Sequence, residues 1–181
     1  MNSHISATKS LKLCIAHRLM YHDGKCKNLH GHNYKVTAEF VAEDFDSSTG
    51  MVLDFGIIKN VVFKRLDDQY DHTVFLYVND PLIKTLEPTG TPIVKMHSHP
   101  TAENMCYFFA VQINHMLLHM FNGKVYCPSV EVEETEGSVA KLFIDPSELL
   151  QEIKNVEQKA GIWKPAESEE QASAEEGNGQ N

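Results

Sequence analysis

Leu11-Lys12-Leu13-Cys14-Ile15-Ala16-His17-Arg18-Leu19 reads at period two, with a histidine standing where the pattern calls for an apolar side chain. Leu11, Leu13, Ile15, His17 and Leu19 share one lane; Lys12, Cys14, Ala16 and Arg18 share the other. The next hydrophobic stretch repeats the pattern. His30, His32, Tyr34, Val36, Ala38 and Phe40 fall on one face, and Gly31, Asn33, Lys35, Thr37 and Glu39 on the opposite one. Alternation of this kind marks half-buried strands. His17, His30 and His32 therefore point to the covered side of one sheet. Three neutral imidazoles in a dry place suit zinc, or a similar borderline metal, held by three protein ligands with a fourth position open. Cys26 lies on the connection just before His30-Gly31-His32, within reach of whatever that fourth position binds.

The remaining elements follow from caps and turns. Glu43 to Gly50 reads as an acidic loop leading into a short strand at Met51 to Leu53. Asp54 caps a helix whose apolar stripe is Ile58, Val61, Val62 and Leu66, and which dissolves around Asp67 to Tyr70. Asn79 to Val94 is rich in proline and glycine and reads as a loose connection. Thr101 caps a second helix with Phe108, Phe109, Ile113, Met116, Leu117 and Met120 on its buried face, ended by Asn122-Gly123. A final strand runs from Val125 to Thr135, with Pro128 marking an edge or a bulge. This is an α+β pattern: an antiparallel sheet with two helices packed on one face. Residues 1–160 form one domain that ends in a helical extension starting at Asp145. Residues 161–181 form an acidic tail with no hydrophobic anchor, expected to be disordered.

Composition sets the outer limits. The 181 residues are 42% hydrophobic and 23% charged, enough for one core without disulfide staples. A formal net charge of −9 argues against a nucleic-acid partner. No segment is apolar enough to span a bilayer, and no charged-then-apolar leader is visible, so the expected location is the cytoplasm. Cys14, Cys26, Cys106 and Cys127 are scattered with no CxxC pair and read as free thiols.

Two further placements carry chemistry. Val130 and Val132 alternate with Glu131 and Glu133, and the lane of the valines ends at Glu134. An inward carboxylate needs partners: either a structural ion pair or a flat ligand offering two parallel N–H groups. Asp71-His72 reads either as a pair closing a helix end or as a relay in which the carboxylate orients an imidazole that moves a proton. His97/His99 and His115/His119 are competing metal pairs. The second, on a helix, lacks the glutamate of HExxH.

Six pieces occur in one order: Ala16-His17-Arg18-Leu19, Cys26 through His32, Gly50 through Phe55, Asp71-His72, Pro100 through Asn104, and Glu133-Glu134-Thr135. Together, from about Leu11 to Lys141, they resemble the 6-pyruvoyl-tetrahydropterin synthase family, and within it the 6-carboxytetrahydropterin synthases of the queuosine pathway. The resemblance implies a tunnelling fold (T-fold) whose trimers close into barrels and stack as a hexamer, with active sites between subunits. It implies Zn2+ on His17, His30 and His32, a catalytic set of Cys26, Asp71 and His72, a pterin anchor at Glu134 and a further pterin contact at Thr101. The implied substrate is a small pterin triphosphate, with Lys27 or Arg18 as candidate phosphate contacts. Cys26 stands four residues before His30, which favours the carboxytetrahydropterin branch. The implied reaction converts 7,8-dihydroneopterin triphosphate to 6-carboxytetrahydropterin, acetaldehyde and triphosphate. The alternatives are a 6-pyruvoyl-tetrahydropterin synthase, which stops after triphosphate loss, and a non-catalytic zinc- or pterin-binding protein of the same fold.

Overall fold

The computed structural model describes residues 5–43, 48–145 and Glu148. The helical extension expected beyond Asp145 and the acidic tail lie, Glu148 apart, outside those residues. Strands β1 (Ala7–His17) and β2 (His30–Ala42) pair antiparallel along their whole length, from Ala7 opposite Phe40 to His17 opposite His30. The odd lane of β1 and the even lane of β2 meet on one face, where Leu13, Ile15, Tyr34, Val36, Ala38 and Phe40 are fully buried. The period-two reading holds through both strands. On the reverse face the same strands carry polar side chains, with the Ser10 and Thr37 hydroxyls bonded at 2.9 Å.

Three helical stretches, Phe55–Ile57, the π-helical Ile58–Phe63 and Lys64–Tyr70, run on as one helix, α1. The Asp54 carboxylate accepts from the Gly56 N–H at its start. The π turn changes which side chains reach the core. Val61, expected in the stripe, is 46% exposed, while Phe63 is 3% exposed and joins Ile58, Val62 and Leu66. Wider i→i+5 turns advance fewer degrees per residue, so a stripe counted at 3.6 misplaces residues beyond the first turn. The helix also continues through Tyr70, whose ring packs on Phe75, Phe108 and Phe109. Met51 contributes one bridge residue in place of the expected strand.

The loose connection is ordered and brings two parallel strands that period-two counting did not find. β3 (Thr73–Tyr77) runs parallel to the end of β1 and to β4 (Ile93–Met96), with a short helix α2 (Leu82–Leu86) between them. Four of five β3 residues are buried, so no alternation was available to read. The second long helix, α3 (Ala102–Phe121), is capped by the Thr101 hydroxyl and ends at Asn122 in the left-handed conformation. Phe109, Ile113, Met116 and Leu117 are buried as expected, but Met120 is 40% exposed.

β5 (Val125–Thr135) pairs with β2 and with a further strand, β6 (Ser138–Phe143), completing the order β4-β3-β1-β2-β5-β6. The long strands β1, β2, β5 and β6 are antiparallel as expected; the short β3 and β4 extend the sheet in parallel. Pro128 lies in a register shift between Ser129 opposite Glu39 and Tyr126 opposite Val41. The Asn114 side chain of α3 takes up Cys127 there, accepting from its N–H at 2.6 Å and donating to its carbonyl at 2.9 Å. A buried amide thus satisfies backbone groups at the irregularity.

Candidate metal centre and catalytic residues

The register of β1 and β2 assembles the three histidines. His17 stands opposite His30, and His32 follows one pleat on, opposite Ile15. One Nδ1 or Nε2 atom from each lies within 4.8 Å of the others. Gly31 between them lies against β1: a Cβ there would come within 3.2 Å of the Ile15 carbonyl. His17 is 1% exposed; His30 and His32 are half-buried.

Two of the imidazoles are oriented from behind by the backbone. His17 Nδ1 lies 2.8 Å from the Pro100 carbonyl, and His30 Nδ1 lies 2.8 Å from the Asn28 carbonyl. A carbonyl only accepts, so each Nδ1 donates, and each neutral ring keeps its lone pair on Nε2. This is the backing that metal-ligating histidines need. Burial holds the His17 pKa below its ordinary 6.5, against the Pro100 bond, which raises it; the neighbouring histidines add to the lowering. A neutral, buried, pre-oriented imidazole fits a borderline cation.

Tyr34 and Glu134 close the centre. The Tyr34 hydroxyl donates to Glu134 Oε1 at 2.8 Å and lies 2.9 Å from His17 Nε2. Burial, then the Glu134 carboxylate, raises the Tyr34 pKa, so it stays a protonated donor. Its single proton is committed to Glu134, which leaves the His17 Nε2 lone pair unclaimed. Glu134 Oε1 is also 3.3 Å from His17 Nε2 and 3.8 Å from His32 Nε2. The inward lane expected for Glu134 is observed, and its carboxylate reaches the histidines themselves. Tyr34 stands in the apolar lane of β2 like a core residue, and its hydroxyl gives it this second role.

Cys26 sits on a single 3-10 turn, Lys25–Lys27, half-buried, with its carbonyl accepting from the Leu19 N–H at 2.8 Å. Thr101 caps α3 next to Pro100, so the helix start is tied to the histidine cluster. Arg18 is engaged elsewhere: its guanidinium donates through Nε and Nη2 to both carboxylate oxygens of the buried Asp80. That pairing commits its Nε and Nη2 donors to Asp80.

Asp71 and His72 lie at the edge of β1 where β3 begins. His72 adopts φ 57°, and its N–H donates to the Cys14 carbonyl at 2.8 Å. Asp71 Oδ1 accepts from the Cys14 N–H at 2.7 Å, and Asp71 Oδ2 from His72 Nδ1 at 2.6 Å. Burial alone would raise the Asp71 pKa; the bonds from Cys14 and His72 outweigh it and hold the carboxyl below its ordinary 3.8. The relay geometry is therefore present, but beside Cys14, not Cys26. Within one chain the structure does not join Cys26 to the pair.

The competing pairs gain no third donor among the described residues. His99 instead stacks against Tyr77 and Tyr21, with ring centroids at 4.6 Å and 5.4 Å. His115 and His119 have centroids 4.7 Å apart on α3.

Comparison with known proteins identifies the family. Residues 6–144 match the family model described as 6-pyruvoyl tetrahydropterin synthase. The 6-carboxy-5,6,7,8-tetrahydropterin synthase of Rickettsia typhi is 34% identical over 135 residues, 74% of this chain and 96% of that protein. The protein of the same name from Synechocystis sp. is 39% identical over 139 residues, 75% of this chain and 90% of its own. Among solved structures, an uncharacterized protein from Wolinella succinogenes has a TM-score of 0.68 at 20% identity, covering 80% of this chain and 100% of that one. The Caenorhabditis elegans 6-pyruvoyl tetrahydropterin synthase has a TM-score of 0.57 at 22% identity, covering 79% and 97%. These two structures show the fold.

Proposed function

The chain belongs to the 6-pyruvoyl tetrahydropterin synthase family, and on that premise we propose that it is a zinc-dependent 6-carboxy-5,6,7,8-tetrahydropterin synthase. It is an enzyme of the lyase type, converting 7,8-dihydroneopterin triphosphate to 6-carboxytetrahydropterin, acetaldehyde and triphosphate in the supply of queuosine precursors. The observation that carries this reading is the cluster of His17, His30 and His32, with the Nδ1 atoms of His17 and His30 tied to backbone carbonyls and their Nε2 lone pairs left for a metal.

Zinc would be held by His17, His30 and His32 and would supply Lewis acidity toward the side-chain hydroxyls of the substrate. Glu134 accepts the two parallel N–H groups of the pterin edge and so positions the reacting carbon, with Tyr34 steadying the carboxylate. Thr101 adds a contact from the start of α3. Cys26 takes a proton from the substrate side chain, and His72, oriented by Asp71, handles the second proton. Because Cys26 and the Asp71-His72 pair lie apart in one chain, the site closes between subunits. A hexamer of two stacked trimers supplies the pair from a neighbouring copy.

Mass spectrometry of the product from 7,8-dihydroneopterin triphosphate, with acetaldehyde assayed in parallel, tests the proposal. The expected product carries a single carboxyl carbon on C6. A product that keeps the three-carbon side chain would make the protein a pyruvoyl synthase. Zinc-loaded protein that leaves the substrate unchanged would make it a binder.

A further inference from the structure

The Asp71-His72 pair has a thiol of its own chain beside it. Cys14 Sγ, an Asp71 carboxylate oxygen and a ring nitrogen of His72 all lie within 4.8 Å of one another. The thiol donates to Asn33 Oδ1 at 3.0 Å, which fixes its rotamer on the reverse face of the sheet. Asp71 is bonded on both oxygens, to the Cys14 N–H and to His72 Nδ1, so His72 Nε2 is the nitrogen free to take a proton. Nucleophile, base and orienting carboxylate are the parts of an activated thiol. A groove of about 380 Å³ opens beside them, lined by Cys14, Gly31, Asn33, His72 and Thr73 among others. It has room for a small reagent.

The other cysteines differ. Cys106 and Cys127 are buried, and burial pushes their thiols up to about 11 and about 12. Cys26 is half-buried on its turn, whereas Cys14 is exposed. Exposure and an adjacent base are the conditions for thiol–disulfide exchange.

We propose that Cys14 is a covalent modification site, a thiol activated by His72 and Asp71 of its own chain that exchanges with low-molecular-weight disulfides. His72 Nε2 takes the Cys14 proton, directly or through one water. The thiolate attacks one sulfur of the disulfide RS–SR, the Cys14–S–S–R bond forms as the reagent's S–S bond breaks, and the leaving thiolate receives the proton from His72. One disulfide replaces another, so no further oxidant is needed. The cap fills the groove against His72 and occupies the relay.

The test is exposure of the full-length, zinc-loaded protein to 2-hydroxyethyl disulfide, with intact-mass and peptide-mapping readouts. One adduct per chain, on Cys14, is expected to form first. Cys14→Ser should lack it. Asp71→Asn and His72→Asn should slow it about tenfold, because the base is misoriented or gone. Asparagine is chosen at position 72 because it tolerates the left-handed backbone there. First modification at Cys26, or no adduct on Cys14, would overturn the proposal. An unchanged rate in both relay variants, with melting temperatures near that of the parent, would overturn the activation. A second readout rests on the proposed reaction: capped protein should lose turnover, and Cys14→Ser should keep its own starting rate through the same treatment. Turnover unaffected by a complete Cys14 cap would refute the blocking of the relay without touching the adduct result.

Discussion

His17 and Cys14 stand three residues apart on β1 and face opposite sides of the sheet. His17 is 1% exposed, backed by the Pro100 carbonyl and surrounded by His30, His32, Tyr34 and Glu134. Cys14 is exposed, and its neighbours His72 and Asp71 come from a turn between elements. The two sides use different means of holding chemistry in place. On the core side, strand register and burial fix three rings, which is what a metal with strict geometry requires. On the open side a carboxylate orients one imidazole and leaves it accessible, which suits proton transfer to a group that arrives from outside.

The largest expected effect separates the two sides outright. His30→Ala removes one of the three proposed ligands; zinc content should fall to near zero and turnover with it, while the fold stays intact. His72→Asn should keep full zinc and lose turnover. Elemental analysis and a turnover assay on both variants give the answer. If His72→Asn also sheds its zinc, the two sides are one site and the contrast fails. If His30→Ala keeps its zinc, the ligand set is wrong.

Glu134 tests the core side more finely. Glu134→Gln keeps the volume but turns one acceptor into a donor facing the N–H groups of the proposed pterin ligand. Charge-assisted hydrogen bonds are worth about 1.5–3 kcal/mol each, so losing a pair should cost about 3–6 kcal/mol, or roughly two to four decades in kcat/KM. Glu133→Gln, on the other side of the strand, where its carboxylate is 3.8 Å from Lys35, should be nearly silent. Equal effects of the two changes would mean that the lane assignment of β5 is mistaken.

The π turn makes a stability test on the packed side. Phe63→Ala should cost about 3–5 kcal/mol and Val61→Ala less than about 0.5 kcal/mol, measured by denaturant unfolding. A regular α-helix would bring the two values together.

What could be read in the sequence divides along the same line. His17, His30, His32 and Glu134 were legible because strands impose period two, and a polar residue in an apolar lane stands out against it. Asp71-His72 was found as a pair, but its surroundings were not: they depend on a left-handed His72 and on a parallel strand, β3, with no alternation to betray it. Tyr34 was hidden for the opposite reason. A tyrosine in an apolar lane looks like core, and only the 2.8 Å and 2.9 Å contacts of its hydroxyl give it a second role. Cys14 was assigned to the outward lane with no partner, since its neighbours come from 57 residues further along the chain. Long-range juxtaposition leaves no mark on local periodicity.

The smallest expected effect concerns the carboxylate of the open side. Asp71→Asn keeps the size of the side chain but weakens its hold on His72 Nδ1, so the ring should spend less time in the productive orientation. Turnover should fall by up to about a hundredfold, or about 2.7 kcal/mol in the transition state, with zinc content unchanged. The acid limb of stability supplies an independent check. In the folded protein the Asp71 carboxyl titrates below its ordinary 3.8, because its bonds to Cys14 and His72 favour the charged form. Its contribution is therefore fully present above pH 3.8 and is lost as the pH falls through the lower, folded value. Melting temperatures taken from pH 7 down to pH 3 should show the wild-type protein losing that share below pH 3.8, and Asp71→Asn, which has no carboxyl to protonate, losing less over the same interval. Parallel acid limbs in the two proteins would mean that Asp71 is not held in its charged form by Cys14 and His72, and the orienting role argued for it on the open side would go with that.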